Sequence, residues 1–100
     1  LFFCNSFRDV MIIMEIFSER LRSARIESGM TQQQLADLLY LDRTTIVGYE
    51  LRGREPSFQI VVGIANALDV STDYLFGRID VKKMSEIDDK NYLSLLNEEL

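Results

Sequence analysis

Gln32-Gln33-Gln34-Leu35-Ala36-Asp37-Leu38-Leu39-Tyr40-Leu41-Asp42-Arg43-Thr44-Thr45-Ile46-Val47-Gly48-Tyr49-Glu50 is the stretch that decides the reading of this chain. Leu35, Ala36 and Leu39 fall on one face of a first short helix, Gln32 to Leu39. Ile46, Tyr49 and Glu50 fall on one face of a second, at the three-to-four spacing of amphipathic helices. Thr31 stands where an N-cap would accept from the opening turn of the first helix, and Asp42 stands there for the second. The few residues left between them predict a tight turn and two helices packed on each other.

Working outward, Ser18 to Ser28 reads as a preceding helix with Phe17, Leu21 and Ala24 on its inner face and Gly29 as its stop. Downstream, Gly53 ends the helix that follows Asp42. After Arg54-Glu55-Pro56, Ser57 opens a fourth, in which Phe58, Val61, Ile64, Ala65 and Leu68 repeat as the main core stripe. Asp69-Val70 leads to Ser71, which caps a last short helix, Thr72 to Phe76, closed by Gly77. The expectation is an all-α bundle of five helices with short connections and no strand. Three parts are predicted: an apolar N-terminal extension over 1–16, a five-helix domain over 17–78, and an acidic tail over 79–100 with a short amphipathic helix.

Composition narrows the chemistry. At 100 residues, with 47% hydrophobic and 27% charged, the chain fits one domain. His and Trp are absent and Cys4 is alone, so there is no zinc cluster, no His-based triad and no disulfide framework. No Gly-rich phosphate loop is present either, and no catalytic residue, metal or cofactor is expected. No apolar run approaches the roughly 20 residues that span a bilayer, and Val10 to Ile13 is too short for a secretory signal. A cytoplasmic protein without a membrane partner is expected.

The net charge of −5 is unevenly placed. Between Ser18 and Pro56, Arg20, Arg22, Arg25, Arg43, Arg52 and Arg54 balance Glu19, Glu27, Asp37, Asp42, Glu50 and Glu55. From Asp80 onward acids outnumber lysines, so the acidity belongs mostly to the tail. A neutral core implies modest non-specific affinity for polyanions.

Two short helices joined by a tight turn form the layout that places its second helix in the DNA major groove. The surrounding residues sharpen this. Leu21, Arg25, Gly29-Met30-Thr31-Gln32, Leu35-Ala36, Thr45-Ile46, Tyr49-Glu50, Gly53 to Ser57, Ile64 to Ser71 and Leu75-Phe76-Gly77 together resemble the Cro/phage-repressor, or XRE-like, helix-turn-helix domain. The resemblance covers Ser18 to Gly77 and implies a five-helix, lambda-repressor-like fold.

It also implies roles. Arg25, Ala36, Ile46 and Glu50 match the motif's structural positions, with Ala36 at the helix crossing and Arg25 paired to Glu50. Arg43, Thr44 and Val47 match base-reading positions, and Arg43 has the guanidinium that bridges O6 and N7 of guanine. Gln32, Thr45, Arg52 and Arg54 match phosphate-contacting positions. Three residues depart from the pattern. Gly48 stands where relatives often carry a long base reader. Tyr40 occupies a turn position usually given to Gly, so strain or a different turn is expected. Leu51 replaces a polar residue.

The ends invite separate readings. Phe3, Phe7, Val10, Met14, Phe17, Leu21 and Ala24 follow alternating four-three spacing, so the first helix could extend upstream as an apolar seam, with Ile12, Ile13 and Ile16 off it. The competing reading makes residues 1–13 an artefact of start-site choice. Tyr92, Leu93, Leu96 and Leu100 recur at helical spacing near the other end and suggest a surface for a protein partner.

The function expected is a sequence-specific DNA-binding transcriptional regulator. More narrowly, it is a homodimeric repressor of phage or mobile-element type, acting on double-stranded DNA. The alternative is an antitoxin of the same fold that binds its toxin and autoregulates its operon.

Overall fold

Local capping signals set most of the helix boundaries in the computed structural model, which describes residues 7–80 and 82. Thr31 Oγ1 accepts from Gln34 N at 3.0 Å, and Gln34 Oε1 accepts from Thr31 N at 2.8 Å, a reciprocal box that opens α2 (Gln32–Leu38). Ser57 and Ser71 cap α4 (Phe58–Leu68) and α5 (Thr72–Leu75) through Ile60 N and Tyr74 N. Asp42 precedes α3 (Arg43–Leu51) in N-cap conformation, but its side chain makes no capping bond. The helices before and after the turn therefore form where expected. Leu39 and Phe76, read as the last residues of α2 and α5, are their C-caps instead.

The first helix differs more. α1 runs Phe7–Glu27, so its opening lies well upstream of Ser18. Phe17, Leu21 and Ala24 are buried as the inner stripe requires, while Val10 on the extended seam is 42% exposed. Ile16, off that seam, meets the far end of the fold. A Cβ on Gly77 would come within 2.9 Å of Ile16 Cγ2, and Gly77 has φ +78. Only glycine closes α5 this tightly against α1.

Among the described residues the five helices enclose one core and no strand is present. α1 packs against α3, α4 and α5, and α2 against α3 and α4. Leu21, Leu35, Ile46, Ile64, Val70 and Leu75 are its fully enclosed side chains. Phe58 is not in the core: it is 89% exposed. Side chains on a helix lean toward its N-terminus, so a residue on the inner stripe but in the first turn projects past the core instead of into it.

Arg20 fastens the end of the fold. Its Nη1 donates to Tyr74 O at 2.7 Å and Ile79 O at 2.9 Å, and its Nη2 lies 3.1 Å from Asp80 Oδ1. Ile79 is buried, Ser71 N donates to Lys82 O, and Lys82 pairs with Glu27. Phe3 and the segment of Tyr92, Leu93, Leu96 and Leu100 lie outside the described residues.

Candidate nucleic-acid interface

Tyr40 makes the turn between α2 and α3, with φ +56 and 96% of its surface exposed. The left-handed turn is thus retained despite the bulky residue. Leu41 N donates to Ala36 O at 2.9 Å and anchors the turn to α2, and Ala36 is fully buried in the core. Ser18 Oγ donates to Tyr49 O at 2.6 Å and ties α1 to α3, a brace that no sequence pattern announces.

Arg25 and Glu50 meet as the resemblance implied. Nε and Nη2 of Arg25 lie 2.7 and 3.1 Å from the two carboxylate oxygens of Glu50, whose side chain is fully buried. Arg25 Nη1 also donates to Met30 O at 2.8 Å. The pair fixes α1, the loop that leads into α2 and the last turn of α3 in one geometry, the role such buried pairs serve better than net stabilisation.

From Glu50 the polar contacts continue to the surface. Gln32 Nε2 donates to Glu50 Oε1 at 3.3 Å, and Gln32 Oε1 accepts from Arg43 Nη2 at 3.1 Å. Gln32 is half-buried, whereas Arg43 is exposed at the first position of α3. The predicted phosphate contact and the predicted base reader therefore touch, and both connect to the buried pair. Thr44 is exposed beside Arg43, while Thr45 and Val47 are half-buried.

Gly48 is buried, and the reason is Arg54. Arg54 N donates to Gly48 O at 3.1 Å, and its side chain crosses the glycine so closely that a Cβ there would lie 3.2 Å from Arg54 Cδ. Its guanidinium sits 5.9 Å from the centre of the Tyr49 ring. The chain after α3 thus lays a cation across that helix at the position read as a missing base contact. Arg52, the C-cap of α3, is exposed on the groove beside α1. The structure brings Gln32 and Arg43 into contact at the start of α3, with Thr44 next to Arg43.

No helix among the described residues is long and apolar enough to cross a membrane, and no His/Cys/Asp/Glu group there could hold a metal.

The family profile that matches the chain is helix-turn-helix, over residues 21–75. The HTH-type transcriptional regulator YqaE of Bacillus subtilis is 38% identical over 79 residues, 79% of this chain and 68% of that one. The chain spans 55% and 56% of two further regulators from the same organism. Among solved structures, the restriction-modification controller protein C.AhdI of Aeromonas hydrophila is 36% identical. It superposes with TM-score 0.59 over 63% of this chain and 96% of its own. The controller protein C.Esp1396I, bound to a 25 base pair operator site, is 26% identical with TM-score 0.53, over 87% and 92% of the two chains. It has also been solved as a tetramer on its natural 35 base-pair operator. With its tight-turned helix pair, buried Arg25–Glu50 brace and exposed α3 N-terminus, this chain belongs to the XRE-type helix-turn-helix family of transcriptional regulators.

Proposed function

We propose that the protein is a homodimeric repressor of phage or mobile-element type. It occupies an operator of two half-sites in the cytoplasm, about one helical turn apart. What supports this reading is the contact of Arg43 with Gln32 at the exposed N-terminus of α3, which steadies a guanidinium at the start of the helix proposed to enter the major groove. Arg43 and Thr44 read bases, with Val47 beside a thymine methyl. Gln32 keeps one amide hydrogen beyond the one given to Glu50 and directs it to a phosphate. Thr45, Arg52 and Arg54 supply further phosphate contacts. So few readers on a neutral surface give one copy little discrimination, and two copies on a symmetric site multiply it. The C.Esp1396I operator complexes support multimeric binding by this fold. No observation favours the antitoxin alternative.

Selection from a random double-stranded DNA library, followed by mobility shifts at several salt concentrations, tests the reading. An inverted repeat with affinity falling steeply in salt is expected. Recovery of no motif would overturn it.

A further inference from the structure

Two side chains from the upstream half of α1 reach the turn that carries Arg52 and Arg54. Ser18 Oγ donates at 2.6 Å to the carbonyl oxygen of Tyr49, near the end of α3. One helical turn before Ser18, Met14 Cε stands 3.8 Å from the point a Cβ on Gly53 would occupy, an ordinary contact distance. The two residues are four apart and share one face of α1, along the groove whose other wall is the end of α3. This stretch of α1 is itself held, because Phe17 is buried in the core and Ile16 packs against Gly77. The family profile begins at residue 21, so neither Met14 nor Ser18 falls within it.

The turn they touch gains from being held. Gly53 has φ +65, and glycine loses more backbone freedom than any other residue when it is fixed. Arg52 and Arg54 flank it, both exposed, with like charges that repel. Gly48 O accepts from Arg52 N at 3.0 Å and from Arg54 N at 3.1 Å, so one carbonyl closes the turn onto α3. Ser18 fixes the next carbonyl along, that of Tyr49, whose ring lies 5.9 Å from the Arg54 guanidinium. Met14 supports the turn at its glycine. A turn already set before DNA arrives loses less of its contact energy to ordering.

We propose that Met14 and Ser18 are positioning residues for DNA contact: they hold Arg52 and Arg54 at the exit of α3, Ser18 through Tyr49 O and Met14 against Gly53. Neither residue touches DNA itself. The proposal rests on the assignment of the two arginines to phosphate, and a measurement on the free protein separates the brace from that assignment.

Amide hydrogen exchange without DNA reads the turn directly. In Ser18→Ala the amides of Arg52 and Arg54 should exchange about fivefold faster, the equivalent of one net hydrogen bond. Met14→Ala should act in the same direction, and in both variants Ile64 and Leu68 of α4 should keep their wild-type rates. Affinity for the selected operator should fall by about fivefold in Ser18→Ala, and by the same factor on mismatched operators, because phosphate contacts carry no sequence. The salt slope should fall by up to about one. Ser18→Thr keeps the hydroxyl and should restore both exchange and affinity. Wild-type exchange at Arg52 and Arg54, equal acceleration throughout α4, or Ser18→Thr behaving as Ser18→Ala would each overturn the proposal. Faster exchange at the turn with undiminished affinity would also overturn it while leaving the regulator reading intact. A wild type without salt-dependent DNA binding would remove both.

Discussion

Arg54 and Gly48 are shaped for each other: the side chain of one occupies the space that a Cβ on the other would enter, at 3.2 Å from Cδ. Two opposing terms act on Gly48→Ala. Alanine gains up to about 1 kcal/mol of helix propensity over glycine. The obstructing group is the stem of an exposed, flexible side chain and can shift by a few tenths of an ångström. Urea unfolding should show a net gain below about 1 kcal/mol. DNA affinity should fall at the same time, because Arg54 is lifted off Tyr49. Affinity equal to wild type would remove Arg54's posture from the account of binding.

Glu50→Ala leaves the Arg25 guanidinium and one donor of Gln32 without their shared acceptor. Breaking one side of a buried pair typically costs about 3–5 kcal/mol. The double replacement Arg25→Met/Glu50→Leu should cost less than Glu50→Ala alone, since no buried charge is stranded. Equilibrium denaturation of both variants gives the comparison, and a double variant less stable than the single would contradict it.

Tyr40 holds a left-handed backbone that costs an L-residue on the order of 1–2 kcal/mol. Its ring is almost wholly exposed, so little packing is lost on removal. Tyr40→Gly should raise the thermal midpoint and Tyr40→Val should lower it. Melting curves that move the same way for both would refute the strain.

The proposed readers and phosphate contacts should separate on DNA. Arg43→Ala should cost about 1–3 kcal/mol on the preferred operator and relax preference at one base pair per half-site. Arg54→Ala should weaken all sequences alike and reduce the salt slope by about one. Titrations of both variants on matched and singly mismatched operators decide this; a uniform loss for Arg43→Ala would make it a phosphate ligand.

The parts of the fold written in local chemistry were legible in the sequence. Thr31, Ser57 and Ser71 cap because a short hydroxyl beside an amphipathic run has a backbone amide within reach whatever the rest of the chain does. The Arg25–Glu50 pair was legible only through family resemblance, since nothing local links residues that far apart. Phe58 misled because periodicity gives the angle around a helix and not whether core exists at that height. Ile16 against Gly77, Ser18 on Tyr49 O and Arg54 over Gly48 were not legible: each depends on how two elements approach in space. At the proposed interface, the candidate residues could be named from the resemblance. That Gln32 and Arg43 hold one another was not, because the contact joins the starts of two helices across a turn.

That last contact makes the proposed reading head a two-part cassette. Replacing Arg43 with a reader borrowed from another repressor would leave Gln32 Oε1 without its donor and free the amide to swing. Grafts confined to α3 should therefore transfer specificity incompletely, and grafts that carry position 32 with position 43 should transfer it in full. For engineers, the smallest portable unit of this regulator is not its recognition helix but a pair of residues on two helices, aimed from beneath by the core.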